Sequence, residues 1–243
     1  MTRKYMLKDK SNVLINNNQT RIRTSSLKSI FGDKILIFSP HPDDESIGCA
    51  GTIARAKSED IKVYIIWMTS GDKGSNEKKF NPNKVAKLRE YEAKKVAKFL
   101  KVDGIKFLKY KDSGLAMLDS SVTQKIRRLI TEINPNTILC SHDDPFNPDH
   151  IATKNIVTES AMKSGVKYNL FAEYEVWNSI PDANLFIDIS NYIRIKKEAI
   201  SFYKTQLKMI RYDEGAISLN RFNGVMRQGS LYSEAFKITY ASR

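Results

Sequence analysis

Cysteine is nearly absent: Cys49 and Cys140 stand alone in separate apolar stretches, with no Cys-x-x-Cys pair. That excludes a disulfide framework and a thiolate metal site, and each thiol reads as a small buried side chain. No run of about 18 apolar residues exists, so no segment reads as a membrane span. The stretch from Met1 to Lys34 has no apolar core long enough for a secretory signal, and the expected location is the cytoplasm. There is no internal repeat and no helix-turn-helix, RNP-like or zinc-finger pattern. Histidine is scarce as well, with three in 243 residues.

Positive charge is plentiful. Lys and Arg number 40 against 27 Asp and Glu, for a formal net charge of +13. Such basicity suits nucleic acid, a membrane surface or an anionic substrate. The lysines are spread through helical stretches, as at Lys94, Lys95, Lys98 and Lys101, in the manner of a solvated face. No nucleic-acid partner is therefore expected, and a polyanionic or nucleotide-linked sugar also fits the charge. With 41% hydrophobic residues the chain is globular and long enough to bury a sizeable core. Residues 1–33, polar, basic and Asn-rich, read as an extension that packs on the domain or on a neighbouring subunit, with disorder as the competing reading. One domain is expected over 34–243, and a homo-oligomer is left open.

Strand-like apolar runs at Lys34–Ser39, Lys62–Thr69, Ile105–Tyr110 and Thr137–Ser141 alternate with helical patterns over 45–58, 84–101, 120–133 and from near His150. This β-α repeat predicts a Rossmann-like α/β fold, a parallel sheet with helices on both faces. After Gly165 the pattern changes to strands near 171–177 and 185–189 and a helix over 191–206. The last ~35 residues are expected to cover the rim of a site, as a β-containing segment. A charged residue, Glu92, interrupts the apolar row of the helix over 84–101. It reads either as an intrahelical partner of Arg89 or as a residue that lines a pocket or fixes Arg89.

The unusual polar residues all follow strands. His41-Pro42-Asp43-Asp44-Glu45 follows the first, Ser70 to Gly74 the second, Asp112 to Gly114 the third and His142 to His150 the fourth. They therefore collect at the carboxyl edge of the sheet, where ligands sit in doubly wound folds. The three histidines, His41, His142 and His150, all fall in two of these loops. A tight turn can aim His41 and Asp44 at one point, and zinc accepts N and O donors at about 2.0–2.2 Å. The plainer reading of the three acids is a helix cap. A zinc site needs a third ligand, and His150 qualifies. In a first helical turn the positive end of the dipole favours neutral, metal-binding imidazole. Asp43, pointing elsewhere than Asp44, is free to act as a base.

The ordered set His41-Pro42-Asp43-Asp44-Glu45 and Asn147-Pro148-Asp149-His150 resembles the PIG-L/LmbE family of zinc-dependent N-acetylglucosaminyl deacetylases. Thr69 to Ser75, Arg89 to Ala93, Lys111 to Leu115 and two segments from Arg221 to Phe236 also fit it. The resemblance implies an amide hydrolase that removes acetate from an N-acetylated amino sugar. It implies Zn2+, or Fe2+ or Co2+ in its place, on His41, Asp44 and His150, with Asp43 as the base. It makes Arg89 and Asp112 the candidates for sugar contacts. Asn147 stands where the family usually has His; its amide offers donors for an oxyanion, against a simple helix cap. His142 is the candidate to supply a proton. Two competitors are a non-catalytic basic carbohydrate- or polyanion-binding module on the same fold and a metal phosphoesterase.

Overall fold

A computed structural model describes residues 13–16, 19–22, 26–75 and 81–241. In chain order its strands are β1 (Val13–Asn16), β2 (Gln19–Ile22), β3 (Lys34–Ser39), β4 (Lys62–Thr69), β5 (Gly104–Tyr110), β6 (Thr137–Ser141), β7 (Leu170–Tyr174), β8 (Leu185–Asp188) and β9 (Ser233–Ala241). Its helices are α1 (Lys28–Phe31), α2 (Asp44–Ser58), α3 (Pro82–Phe99), α4 (Ser121–Ile133), α5 (Pro148–Met162), α6 (Ile193–Ser201), α7 (Lys204–Leu207) and α8 (Tyr212–Phe222). The strands form one sheet in the order β1-β2-β8-β9-β7-β6-β3-β4-β5.

Strands β3 to β7 are parallel, as the β-α repeat predicts. Alternate residues of β3 serve opposite cores. Ile35 and Ile37 face one hydrophobic cluster, and Leu36 and Phe38 face the other. A strand buried on both faces has to be apolar throughout, which is why β3, β4 and β6 are continuous runs in the sequence. Helices α2 and α3 cover the first face and α4 and α5 the second. The chain leaves β3 towards β4 on one side, while β6 lies on its other side. The topological switch point therefore falls between β3 and β6, and a crevice opens at their carboxyl ends.

Helices α3 and α5 start alike. Asn81 and Asn147 occupy the caps, each followed by proline, and accept from the backbone N–H of Lys84 (3.2 Å) and Asp149 (3.3 Å). Proline at the first helical position loses no bond that the helix would have made. Helix α2 is buried from Asp44 to Ala56. It packs close because Gly48 has no side chain; a Cβ there would lie 2.3 Å from the Tyr174 ring.

The C-terminal half departs from the expected layout. Strand β9 enters the sheet between β7 and β8, antiparallel to both, instead of lying over the rim. The expected helix over 191–206 is divided into a 3-10 turn at Ser190–Tyr192, α6 and α7. Of the N-terminal stretch, residues 1–12, 17–18 and 23–25 lie outside the described residues, as do 76–80 in the loop after β4. Leu27 and Phe31 are fully buried in the main core, and Phe31 meets Phe236 edge-on at 6.4 Å. Among the described residues no helix is long and apolar enough to cross a membrane.

Candidate active site

The loop from His41 to Glu45 gives its three acids three different tasks. Glu45 is a structural hub. Its buried carboxylate accepts from Trp67 Nε1 (2.8 Å), the Tyr203 hydroxyl (2.6 Å) and the Ser46 hydroxyl (2.8 Å). Burial raises its pKa while these donors oppose the rise. Asp44 accepts the His41 backbone N–H at 3.0 Å. The same oxygen, Oδ2, lies 3.1 Å from His41 Nδ1 and 3.2 Å from His150 Nε2. Asp43 points the other way, to Arg89.

His41, Asp44 and His150 thus offer three donor atoms within 4.8 Å of one another, all on buried side chains. Ligands at about 2.0–2.1 Å in a tetrahedron lie roughly 3.4 Å apart, close to these separations. The two imidazole rings are 5.5 Å apart at their centroids. His150 is fully buried and neither ring nitrogen has a hydrogen-bond partner. A buried polar atom without a partner is costly, and a cation held between these side chains would satisfy it. The residues fit a metal ion.

The surroundings favour positive charge at this point. His41 Nε2 faces Asp149 Oδ2 at 3.3 Å and Asp112 Oδ1 at 3.6 Å. A carboxylate behind a ligating imidazole fixes its tautomer and raises its basicity. Burial opposes protonation of His41, but Asp112, Asp149 and Asp44 outweigh it and hold its pKa well above the ordinary value. Burial likewise opposes ionisation of Asp44, yet His150 and His41 keep it far below the usual carboxylate range. Asp112 falls to about 2, against burial and in favour of its bond to His41.

Asp149 was given no role from the sequence, although it sits inside the quoted Asn-Pro-Asp-His segment. Its carboxylate accepts the backbone N–H of Ser113 (2.6 Å) and Leu115 (3.1 Å). It therefore ties the loop after β5, which carries Asp112, to the start of α5. Asp112 in turn accepts the Lys73 N–H at 3.2 Å and donates its own N–H to Asp72 at 2.8 Å, clasping the loops after β4 and β5.

Asp43 has φ 141°, a region sparsely populated by residues other than glycine. The turn is held there by its neighbours. Asp43 O accepts the N–H groups of Ser46 and Ile47, and Arg89 grips the side chain. Arg89 Nη2 donates to Asp43 Oδ1 (2.8 Å) and Pro42 O (2.7 Å), and Nη1 to Gly71 O (3.2 Å). Gly71 (φ 58°) and Gly74 leave room for it; a Cβ at either would lie 2.5 Å from Nη1. Burial pushes the Asp43 carboxyl up to about 8, with Arg89 opposing and Asp44 adding to the rise.

A cleft of ≈ 190 Å³ opens over this cluster. His41, Asp43, Asp44, Arg89, Asp112 and Asn147 all line it. Arg89 and Asp112 are there as expected, but their polar atoms are directed at Asp43 and His41. Asn147 lines the cleft and caps α5 at once, since only its Oδ1 takes the Asp149 N–H. His142 is elsewhere. Its ring bonds the buried Glu173, beside Lys154 and Asp143, and it does not line the cleft. Glu92 does not partner Arg89 either; it accepts from the backbone N–H (2.9 Å) and hydroxyl (2.6 Å) of Thr205 and so anchors α7. That places Gln206 in the cleft wall, where its Nε2 donates to Gly74 O at 3.0 Å. A larger groove of ≈ 500 Å³ between α4 and α5 is lined mostly by aliphatic side chains and holds none of the His–Asp cluster.

The helix that carries Asp44 is held by a buried ion pair. Lys196 Nζ binds Ile47 O and Glu234 Oε1, both at 2.6 Å, and Glu234 accepts the N–H groups of Gly51 (2.9 Å) and Thr52 (2.7 Å). Ile47 O and Gly51 N–H would form one rung of a regular helix. Lys196 of α6 and Glu234 of β9 reach the two ends of that rung and so tie α2 to the rest of the body.

The model of the PIG-L family, described as GlcNAc-PI de-N-acetylase, matches residues 36–161, which spans every one of the site residues from His41 to His150. The chain belongs to the PIG-L family. Among family relatives, diacetylchitobiose deacetylase of Thermococcus kodakarensis is 27% identical over 190 residues, covering 71% of this chain and 70% of that protein. The probable N-acetyl-alpha-D-glucosaminyl L-malate deacetylase 2 of Bacillus subtilis is 26% identical over 199 residues, covering 77% and 90%. The solved structure of N,N'-diacetylchitobiose deacetylase from Pyrococcus horikoshii superposes with a TM-score of 0.75 at 22% identity, over 85% of this chain and 84% of that one. That likeness establishes the PIG-L fold for this chain. As in the relatives named above, the family's chemistry is de-N-acetylation, a hydrolysis of an amide.

Proposed function

We propose that the cleft is a zinc-dependent active site that removes the N-acetyl group from an N-acetylglucosamine-type sugar. The observation that carries this reading is the convergence on one Asp44 oxygen. His41 Nδ1 and His150 Nε2 lie 3.1 and 3.2 Å from it, and the residue just before it in the chain, Asp43, is a carboxylate held by Arg89.

His41, Asp44 and His150 would hold the ion, which when bound supplies Lewis acidity to the acetamide carbonyl and to water. Asp43 takes the proton from the attacking water. Arg89 occupies its Oδ1, so the proton goes to Oδ2, and the guanidinium fixes the rotamer. An acid with a raised pKa can keep that proton near neutral pH and pass it to the departing amine. Asn147 Nδ2, left over from the cap, donates to the oxyanion formed at the former carbonyl oxygen. Arg89 and Asp112 act here by orienting Asp43 and His41, not by holding sugar hydroxyls. His142, directed at Glu173, has no part in the step.

A two-metal phosphoesterase is the less suitable reading. Among the described residues the other His–Asp group is His41, Asp112 and Asp149, and it shares His41 with the first. Both Asp149 oxygens are already taken by backbone N–H groups. Metal analysis of the purified protein, followed by assays of acetate and phosphate release from N-acetylglucosamine glycosides and sugar phosphates, tests the proposal. Acetate with an equal amount of free amine is expected; phosphate without acetate would refute it.

A further inference from the structure

The chain has two tryptophans, and they sit in opposite environments. Trp67 is fully buried, stacked on Phe107 at 4.5 Å with its Nε1 given to Glu45. Trp177 is 42% exposed and lines the catalytic cleft. Among the described residues, glycine aside, every other residue lining that cleft is polar or charged, so the indole is the one large apolar surface they give it.

The ring is not a loop-tip aromatic free to turn. It stands in the segment after β7, which is fastened at both ends. The buried Glu175 accepts the Ile180 N–H at 2.8 Å and Asn223 Nδ2 at 2.7 Å. Asn178 Nδ2 donates to Asp144 Oδ1 at 3.0 Å, and so ties the segment to the loop that carries Asn147. Behind the ring, Tyr212 meets it edge-on at 5.7 Å and 80°. Pre-organisation of this kind lowers the entropy a ligand must overcome on docking. A pyranose carries hydroxyls around its rim and an apolar face of C–H groups, and an aromatic wall is the complement of that face. The cleft is small against the roughly 300–1,000 Å³ of sites for drug-sized ligands, which suits one ring.

We propose that Trp177 is the platform on which the substrate's pyranose ring stacks, and that it selects a sugar acetamide over an acyclic one. This rests on the deacetylase reading above. Trp67, sealed in the core, emits as a background common to the wild type and Trp177→Phe, so the part of a sugar-dependent change in tryptophan emission that Trp177→Phe loses reports on Trp177. Methyl glucosaminide, the deacetylated product type, should change the emission of the zinc-loaded protein saturably, and Trp177→Phe should lose the change while keeping sugar affinity within about three-fold. Trp177→Ala should lower kcat/KM for methyl N-acetylglucosaminide relative to N-(2-hydroxyethyl)acetamide about ten-fold, mainly through KM. An unchanged ratio in Trp177→Ala overturns the proposal, and so does an unresponsive emission when calorimetry shows the sugar bound. If the wild type releases acetate from neither compound, the deacetylase reading fails instead, and the emission titration still decides the stacking.

Discussion

Arg89 Nη2 lies 2.8 Å from Asp43 Oδ1 with both side chains buried, so the candidate base owes its rotamer and part of its charge state to a helix 46 residues further along the chain. A cation beside a carboxylate favours its ionised form, so loss of Arg89 raises the Asp43 pKa. Because the base must be ionised to act, the acid limb of the kcat profile should then move to higher pH. Arg89→Ala is expected to lower kcat more than it changes KM, with Arg89→Lys recovering part of the loss. A pH–rate series on the three proteins checks this; a pure KM effect would return Arg89 to the sugar.

Removing a ligand should separate metal from fold. His150→Ala is expected to lose the ion and keep the wild-type circular dichroism spectrum, since the sheet does not depend on that ring. A ligand that binds only the folded state stabilises it by about 2.7 kcal/mol at a hundred times its Kd. Added Zn2+ should therefore raise Tm of the wild type and leave Tm of His150→Ala in place. Equal shifts in both would show that the ion sits elsewhere.

Asn147 combines a cap and a proposed oxyanion donor, and serine separates them. Asn147→Ser keeps an oxygen for the Asp149 N–H but has no amide donor. It should hold stability within about 1 kcal/mol, the worth of a cap. An oxyanion donor is worth ~2.7–4 kcal/mol, so kcat should fall by two to three orders of magnitude, on the order of that figure. Stability measured in urea and kcat measured on the same preparation decide it; unchanged kcat would leave Asn147 as a cap only.

Much of this site was legible because its chemistry is local. The loops that carry the candidate ligands follow β3 and β6, whose limits at Lys34–Ser39 and Thr137–Ser141 are set by apolar runs that end in polar loops. Three histidines in two such loops are a signal that needs no fold. What was not legible depends on partners distant in the chain. Nothing near Glu92 announces Thr205, and nothing near Asp149 announces the N–H groups of Ser113 and Leu115. His142 shares a loop with His150, yet it turns to Glu173 on the neighbouring strand. Helix α8 lies in a stretch that reads as a β-containing segment over the rim, with Gly215 and Asn220 weakening its helical pattern, and the place of β9 between β7 and β8 is a property of the sheet alone.

The Lys196–Glu234 pair should prove costly to break from one side. Both groups are fully buried, and removing one partner strands the other charge, a change of about 3–5 kcal/mol. Glu234→Ala is expected to destabilise by that order, more than Lys196→Met, because it also orphans the Gly51 and Thr52 N–H groups. A double-mutant cycle by urea denaturation measures the coupling; additive losses would mean the two residues act independently.

The most direct test of the account is acetate release by Asp43→Asn at matched metal content, assayed on an N-acetylglucosamine glycoside. Asparagine keeps the shape of the turn and a partner for the Arg89 side of the loop, but it cannot take a proton. The account predicts a variant that binds zinc as the wild type does and turns over ~10²–10⁴-fold more slowly, the range for loss of a general base. Turnover near the wild-type rate with the metal in place would contradict it.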